Sequence, residues 1–591
     1  MKYAFPQKAL RTLLVLSTLI LLVISTTHGQ RQSMAALGAD QHYQQGMQLL
    51  EREAWDQAIA ELSLALKLNP RFADAHNALA TALAKKGDFK AAALSFRKAI
   101  QFNPRLYQAH LGLASVLQQS GDFDGAIASA KQAIALKPGE VEARLLQGVA
   151  YQQKRDVDSA IAQFREAVQL KPNLAEAHSY LGFALGVKGF LHESISEFES
   201  AVRLKPDFAE AQYYLGAARW FADDVKGAIT ALTTAATLLP NDKNAHYYLG
   251  LALQKSGNLE GAIGELSTAI KLAPEMLEPR HAMALALQQN DDLDSAIEAF
   301  RTVIKLNPDF IPAHNDLGLA LVQKRNPEAA IVEFQTVLRL DPNNLVANHN
   351  LGMTLIQKGD YAAAVTQYQK LIMLAPDDAE AHYNLGLALK QKDALNDAIA
   401  ELRKATTLKP SLHEAHYALG AILLQQSSLD GAEEAFRAAI TVKQDYAEAH
   451  YALGTVLQKK GNLVGAIAAF REALKVQPNA AEIHNTLGNA LRQTGDIESA
   501  RKEFQEGARL NKIKADQQAA VFATNTGLAQ LKAGNLDAAI ERFQTAVQLD
   551  PTNSQAFYNL AKAFQQKGQG EAAGAAYQKA KELDPRVKPL Q

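Results

Sequence analysis

Apolar residues along this chain recur at the spacing of helices that bury one face. A first stripe contains Leu385 and Leu389, which are four residues apart and therefore on one side of a helix. After a polar interruption, a second stripe contains Ala398, Leu402 and Ala405 at the same kind of spacing. Polar residues elsewhere leave neither helix apolar all round. The segment predicts two helices joined by a turn, each with one face that another helix must cover.

The same pair of helices repeats along nearly the whole sequence. A proline closes most units, each 34 residues after the one before: Pro70, Pro104, Pro138, Pro172, Pro206, Pro240, Pro274, Pro308, Pro342, Pro376 and Pro410. The register continues through Gln444, Pro478 and Lys512, and resumes at Pro551 after five extra residues. Sixteen units therefore fill residues 39–585. Because stacked units cover each other's apolar faces, the pattern predicts an all-α solenoid without a central core.

Fixed positions within the unit resemble the tetratricopeptide repeat (TPR). Counting Ala379 as position 1, the shared features are a small residue at position 8, alanine at 20 and 27, an aromatic residue or leucine at 24, and proline at 32. The repeat sequence is especially similar to that of the repeat arm of O-GlcNAc transferases. The resemblance implies a right-handed superhelix of antiparallel helix pairs whose first helices line a concave groove. Departures at position 27 are Val303, Val337, Leu371 and Gly507.

The break in the register sets the expected domain organisation. The extra residues coincide with a missing proline and contain neither glycine nor proline, so the second helix of the fourteenth unit is expected to lengthen and the stacking to shift. The predicted segments are a signal peptide (1–29), a lead-in (30–38), units 1–14 (39–512), a joint (513–519), units 15–16 (520–585) and a C-terminal tail (586–591).

The first residues differ from everything that follows. Three basic residues precede a predominantly apolar run from Leu13 to Ile24, and the small residues Thr27 and Gly29 follow it. This order is typical of a secretory signal peptide, with cleavage before Gln30. The alternative is an uncleaved anchor, although this run is shorter than the roughly 20 apolar residues that span a bilayer. The chain is therefore expected to be exported, either periplasmic or secreted, or anchored to the membrane by its N-terminal segment.

Composition and motifs narrow the possible chemistry. The net charge of −1 provides no field that would favour nucleic acid. The absence of cysteine excludes disulfides, thiolate metal ligands and cysteine nucleophiles. No phosphate-binding loop and no nucleophile elbow occurs, and the repeats leave no stretch for a catalytic domain. We therefore expect no enzyme activity, no catalytic residue and no cofactor.

Histidine recurs at position 4, which raises the question of a metal site. The residues are His42, His76, His110, His178, His246, His314, His382, His416, His450 and His484. Equivalent helices of stacked units lie roughly 8–10 Å apart, whereas the ligands of one zinc ion each lie about 2.0–2.1 Å from it. The histidines therefore cannot converge on one ion. We expect each ring to pack against the preceding unit while a nitrogen reaches water or a carbonyl.

Positions 2, 5, 9, 12 and 13 of the first helix share one face, and this face is the expected site of function. Five aromatic residues in units five to seven distinguish it: Phe183, Tyr213, Trp220, Phe221 and Tyr247. Exposed aromatic residues suit recognition of a peptide or helix. The alternative for Trp220 is a place in the core. Position 5 never holds the lysine that a two-carboxylate clamp of this family needs, so that mechanism is not expected.

Acidic residues recur at position 2 of the same face. They are Asp74, Glu142, Glu176, Glu210, Glu278, Glu380, Glu414, Glu448 and Glu482. They could contact a partner, or they could lie in water and complement the helix dipole at the first turn.

Together these observations predict an exported, non-enzymatic TPR scaffold that binds protein or peptide partners along its groove. The alternative is a non-catalytic TPR arm or assembly factor of an envelope glycosyltransferase or secretion complex. No nucleic-acid partner is expected.

Overall fold

The computed structural model describes residues 36–590, and the predicted signal peptide lies outside this range. Within it all regular elements are α-helices. The first, α1, spans residues 36–51. The others are α2 (Trp55–Leu68), α3 (Ala73–Lys85), α4 (Phe89–Phe102), α5 (Tyr107–Gln119), α6 (Phe123–Leu136), α7 (Glu142–Gln153), α8 (Val157–Leu170), α9 (Ala175–Val187), α10 (Leu191–Leu204), α11 (Ala209–Phe221), α12 (Val225–Leu238), α13 (Lys243–Lys255), α14 (Leu259–Leu272), α15 (Leu277–Gln289), α16 (Leu293–Leu306), α17 (Ile311–Gln323), α18 (Pro327–Leu340), α19 (Leu345–Lys358), α20 (Tyr361–Leu374), α21 (Ala379–Gln391), α22 (Leu395–Leu408), α23 (His413–Gln425), α24 (Leu429–Val442), α25 (Ala447–Lys459), α26 (Leu463–Val476), α27 (Ala481–Gln493), α28 (Ile497–Lys532), α29 (Leu536–Leu549), α30 (Ser554–Gln566) and α31 (Gly570–Leu583).

These helices confirm the predicted all-α fold. Odd-numbered helices up to α27 are the first helices of their units, and the even-numbered helix that follows is the second. The chain divides into two compact units, one ending at Ala313 and the other beginning at His314. Each is built of stacked helix pairs. In the part of the chain that the structure describes, no helix is both long and apolar enough to cross a bilayer.

The core of each repeat lies between its own two helices and the next unit. In the repeat that begins at α21, Ala398, Leu402 and Ala405 have no exposed surface, as their spacing predicts. The glycine at position 8 makes room for the position-24 side chain: a Cβ on Gly148 would lie 2.5 Å from Phe164 Cε1. Because the ring fills this space, the two helices of a repeat pack closely.

The turn inside each repeat needs a backbone conformation with positive φ, which most residues avoid. Glycine adopts this left-handed conformation in many units, for example Gly87 with φ 84°. Where glycine is missing, another residue adopts it, as Asp393 does with φ 60°. The second helix then begins after a capping residue in most repeats. Asp156 is one such cap, since its Oδ1 accepts a hydrogen bond from the Ser159 amide at 3.1 Å.

The break in the register is bridged by one helix. α28 has 36 residues and joins the second helix of unit 14 to the first helix of unit 15 without a turn. The predicted lengthening is therefore confirmed, and the predicted joint, 513–519, lies inside the helix. Leu510 and Ala520 are buried, but all residues between them are exposed except the half-buried Asp516. The helix thus crosses from one pair to the next with little packing around this segment.

Candidate binding site on the first helices of units five to seven

The position-4 histidines link each unit to the unit before it. His382 is 1% exposed, its Nδ1 lies 2.5 Å from Glu401 Oε2, and its Nε2 lies 3.1 Å from the Pro376 carbonyl oxygen. The carbonyl can only accept, so Nε2 donates. The ring therefore connects the first helix to the second helix of its own unit and to the end of the preceding unit. This confirms the predicted contact with a carbonyl.

Most of the described histidines at this position share one or both contacts. Pairs with glutamate at position 23 are His42–Glu61, His178–Glu197, His246–Glu265, His314–Glu333, His382–Glu401 and His484–Glu503. His76 and His450 lack the glutamate, and their buried Nδ1 atoms have no hydrogen-bond partner. Among residues 36–590, no group of three or more histidine, aspartate or glutamate side chains could hold a metal ion.

The five aromatic residues predicted for the groove lie on neighbouring first helices, α9, α11 and α13. Phe221 is 59% exposed. Phe183, Tyr213, Trp220 and Tyr247 are half-buried. The face therefore presents aromatic surface, but most of it is partly covered by adjacent rings.

Two tyrosines at position 6 connect the predicted aromatic residues. The Tyr214 ring centroid lies 5.0 Å from that of Phe183 and 5.1 Å from that of Tyr213. The Tyr248 centroid lies 5.9 Å from that of Trp220 and 5.3 Å from that of Tyr247. Tyr213 and Tyr248 are themselves 6.1 Å apart. The result is a continuous row of rings across three units, at separations where aromatic pairs attract.

The position-6 tyrosines were not predicted as site residues because position 6 lies beside the chosen groove positions. The signal was present in the sequence as the doublets Tyr213–Tyr214 and Tyr247–Tyr248. A tyrosine is long enough for its ring to reach the neighbouring unit from this position.

Trp220 has a role in packing. Its ring packs against the buried cluster around Leu232 and Leu249, on α12 and α13. Its Nε1 is shielded from solvent and has no hydrogen-bond partner. The side chain is only half-buried, so it contributes to the core and to the aromatic row at once.

Two adjoining pockets open beside the Phe183–Tyr214 ring pair. The first, here called the carboxylate pocket, has a volume of about 300 Å³ and lies between α9 and α11. It is lined by Gln152, Glu176, Ser179, Tyr180, Phe183, Phe208, Glu210 and Tyr214. The second, here called the apolar pocket, has a volume of about 230 Å³. It is lined by Phe183, Gly186, Val187, Leu191, Ser194, Phe198, Tyr214, Ala217, Ala218 and Phe221.

Burial keeps the tyrosine hydroxyls of this region protonated. It raises the pKa of Tyr214, and the carboxylates of Glu210 and Asp242 raise it further. It also raises the pKa of Tyr213 and of Tyr247. These phenols therefore remain neutral hydrogen-bond donors at physiological pH.

The acidic residues at position 2 differ in what they contact. Glu380 Oε1 accepts a hydrogen bond from Lys409 Nζ at 2.8 Å, and this bond lowers the pKa of Glu380. Glu176 and Lys205, in the same relation, are 3.9 Å apart. Glu210 makes no ion pair with the described residues. In the repeat of α21 the acid therefore pairs within its own unit, whereas the two acids of the carboxylate pocket are loosely paired or unpaired.

Models of the TPR family match most of the chain. One, described as TPR repeat, matches residues 46–87, 352–393, 421–461 and 527–568. Another, described as tetratricopeptide repeat, matches residues 111–175, 182–242, 218–276, 281–344 and 451–519. Further repeat models match residues 73–106, 333–366, 379–412 and 554–587. The chain is a helical-repeat protein, and it belongs to the tetratricopeptide repeat family.

Solved structures with similar folds cover different shares of the chain. A crystal structure of MamA is 28% identical, with a TM-score of 0.27, and the match covers 28% of this chain and 96% of MamA. YrrB, described as a TPR protein with an unusual peptide-binding site, is 23% identical, with a TM-score of 0.29 and coverage of 34% and 99%. Yeast Tom70 is 16% identical, with a TM-score of 0.33 and coverage of 79% and 96%. No curated protein matches.

Proposed function

We propose that this chain is an exported, non-enzymatic scaffold that binds protein or peptide partners on the first-helix face of units five to seven. The observation that carries the proposal is the pair of adjoining pockets beside Phe183 and Tyr214. TPR domains present such faces from helices fixed by the stack, so a partner meets a largely preformed surface.

The apolar pocket supplies the type of contact that gives a partner affinity. Val187 and Phe221 are each 59% exposed at its edge, and Phe190 nearby is 45% exposed. These side chains lie on or next to α9 and α11, beside rings that are already packed. Burying such residues against a partner removes apolar surface from water, and little side-chain conformational entropy is lost because the neighbouring rings are already packed.

Selection of peptides tests this function. Short random peptides displayed on phage would be selected on the full chain, and the binders synthesised with a fluorescent label for affinity measurement. We expect Phe221→Ala to weaken binding by about 2 kcal/mol or more, as truncation of a central aromatic contact does. Phe522→Ala, at a phenylalanine that is 75% exposed on α28, is the matched control and should leave affinity unchanged. Equal effects of both substitutions, or no selected binder, would contradict the proposal.

Export rests on the N-terminal sequence alone. The basic residues before the run from Leu13 to Ile24 and the small residues after it support a signal peptide cleaved before Gln30. N-terminal sequencing of the protein from fractionated cells should therefore return a chain that begins at or near Gln30. An intact Met1 in a cytosolic fraction would contradict export, and an intact Met1 in a membrane fraction would favour the uncleaved anchor.

The second candidate is a non-catalytic arm or assembly factor of an envelope glycosyltransferase or secretion complex. The similarity of the repeat sequence to the arms of O-GlcNAc transferases favours this second candidate. Co-purification with a glycosyltransferase or secretion component from the source envelope, abolished by Phe221→Ala but not by Phe522→Ala, would support this assignment.

A further inference from the structure

We propose that the carboxylate pocket between α9 and α11 binds the side chain of a lysine or arginine from the partner. This inference rests on the proposed function and specifies the chemistry of its ligand. Its basis is the combination of aromatic walls with two carboxylates at one cavity of about 300 Å³, which is large enough for one long side chain.

The aromatic walls suit the aliphatic stem and the charge of such a side chain. Tyr180, Phe183, Phe208 and Tyr214 line the pocket, and Tyr180 is 41% exposed there. An aromatic face attracts an ammonium or guanidinium group within about 6 Å of the ring centroid. The long stem of a lysine or arginine also packs on apolar surface while its charged end reaches a polar group.

The charged groups of the pocket are negative, as a cationic ligand requires. Glu176 and Glu210 come from position 2 of successive units and both line it. Glu210 has no ion pair with the described residues, and Glu176 has only the 3.9 Å contact with Lys205. Gln152, also in the lining, has a side-chain oxygen that is shielded from solvent and lacks a donor. Acceptors without donors favour a ligand that carries N–H groups.

The protein itself places an ammonium group at this pocket. Lys205 Nζ lies 5.1 Å from the centroid of the Phe208 ring and 3.9 Å from Glu176 Oε1. The same ring and carboxylate would contact a partner's cation, so Lys205 competes with it. Lys205 is exposed, and exposed ion pairs contribute little, so a partner can displace it.

The test uses the peptides selected on the full chain. We expect one basic residue to recur among those whose binding requires Phe221. Replacing that residue with norleucine should weaken binding by at least about tenfold, which equals about 1.4 kcal/mol. Glu176→Gln combined with Glu210→Gln should cause a similar loss for the basic peptide and almost none for the norleucine peptide. Glu414→Gln, at the same repeat position on α23, is the matched control and should change neither affinity.

Lys205→Ala provides an opposite prediction, because removal of the competing ammonium should tighten binding of the basic peptide by a few fold. Weaker binding by this variant, or an equal loss for both peptides in the double glutamate variant, would overturn the inference. Peptides that require Phe221 but contain no recurring basic residue would also overturn it while leaving the proposed function intact. Peptides indifferent to Phe221→Ala would contradict the proposed function itself. Unchanged melting temperatures would show that the variants remain folded.

Discussion

At the residue scale, a position-4 histidine that pairs with a glutamate and one that does not should contribute differently to the stability of their repeats. The imidazole of His76 donates to the Pro70 carbonyl, but its buried Nδ1 has no partner because position 23 of that unit is Ser95. Burial lowers the pKa of His76; the bond to Pro70 opposes this shift, and Lys98 adds to it. As the pH falls below the ordinary histidine value of about 6.5, the unfolded chain therefore binds a proton more readily than the folded chain, and stability decreases.

Ser95→Glu should correct this defect by recreating the pair seen at His382 and Glu401. A carboxylate at position 23 would stabilise the protonated ring, so the variant should lose less stability on acidification. We expect a gain of about 0.5–1.5 kcal/mol at pH 6 and a smaller gain at pH 8. Urea unfolding at both pH values measures it. Ser95→Gln is the uncharged control, and a gain independent of pH, or an equal gain in the control, would contradict the explanation.

Trp220 and Phe221 should respond differently to truncation, although they are adjacent. Trp220 is half-buried against buried residues of α12 and α13, so Trp220→Ala should destabilise the fold by about 1–3 kcal/mol. Phe221 is 59% exposed, and Phe221→Ala should change stability by no more than roughly 0.5 kcal/mol. Denaturant unfolding of the two variants measures the difference. Equal losses of stability in the two variants would contradict this difference in packing.

At the element scale, α28 contains a central segment with little packing around it. Between Leu510 and Ala520 its residues are exposed, apart from the half-buried Asp516, so few contacts oppose local opening. Trypsin should therefore cut at Lys512 or Lys514 before it cuts in units five to ten. Mass spectrometry of early digestion products locates the first cleavage. With both lysines replaced by glutamine, cleavage should slow markedly; first cuts elsewhere in the original chain would contradict a weakly packed segment.

The helix pairs were predictable because every unit repeats the apolar spacing that specifies a buried helix face. The stripe of Ala398, Leu402 and Ala405 specifies a buried face, and all three are fully buried. The lengthening of α28 was predictable from missing turn residues. That this helix would continue through the whole joint into the first helix of unit 15 was less evident, because the absence of glycine and proline permits a helix but does not determine where it ends.

The binding site was less predictable than the fold. Spacing placed Phe183 and Phe221 on the first-helix face, where they line the pockets. It could not identify Tyr214 or Phe208, because their contributions depend on side-chain length and on packing between units. It also could not separate Glu176 and Glu210 from the other acids at position 2, because what distinguishes them is the pocket formed by the aromatic side chains packed around them.

At the scale of the whole molecule, sixteen similar repeats raise the question of which ones a partner uses. Each repeat is stabilised mainly by contacts with the units next to it. The exposed residues of a few repeats can therefore form a binding surface without changing the fold of the others. The row of rings distinguishes α9, α11 and α13 from first helices that carry fewer aromatic residues, and the two pockets beside Phe183 and Tyr214 lie along α9 and α11.

Hydrogen–deuterium exchange of the full chain, with and without a saturating selected peptide, tests this central claim most directly. Bound peptide should slow amide exchange in α9, α11 and α13, because a ligand that binds only the folded helices suppresses their opening. Exchange in α29, α30 and α31 should remain unchanged. Protection confined to those C-terminal helices, or absent from α9 and α11, would contradict the account.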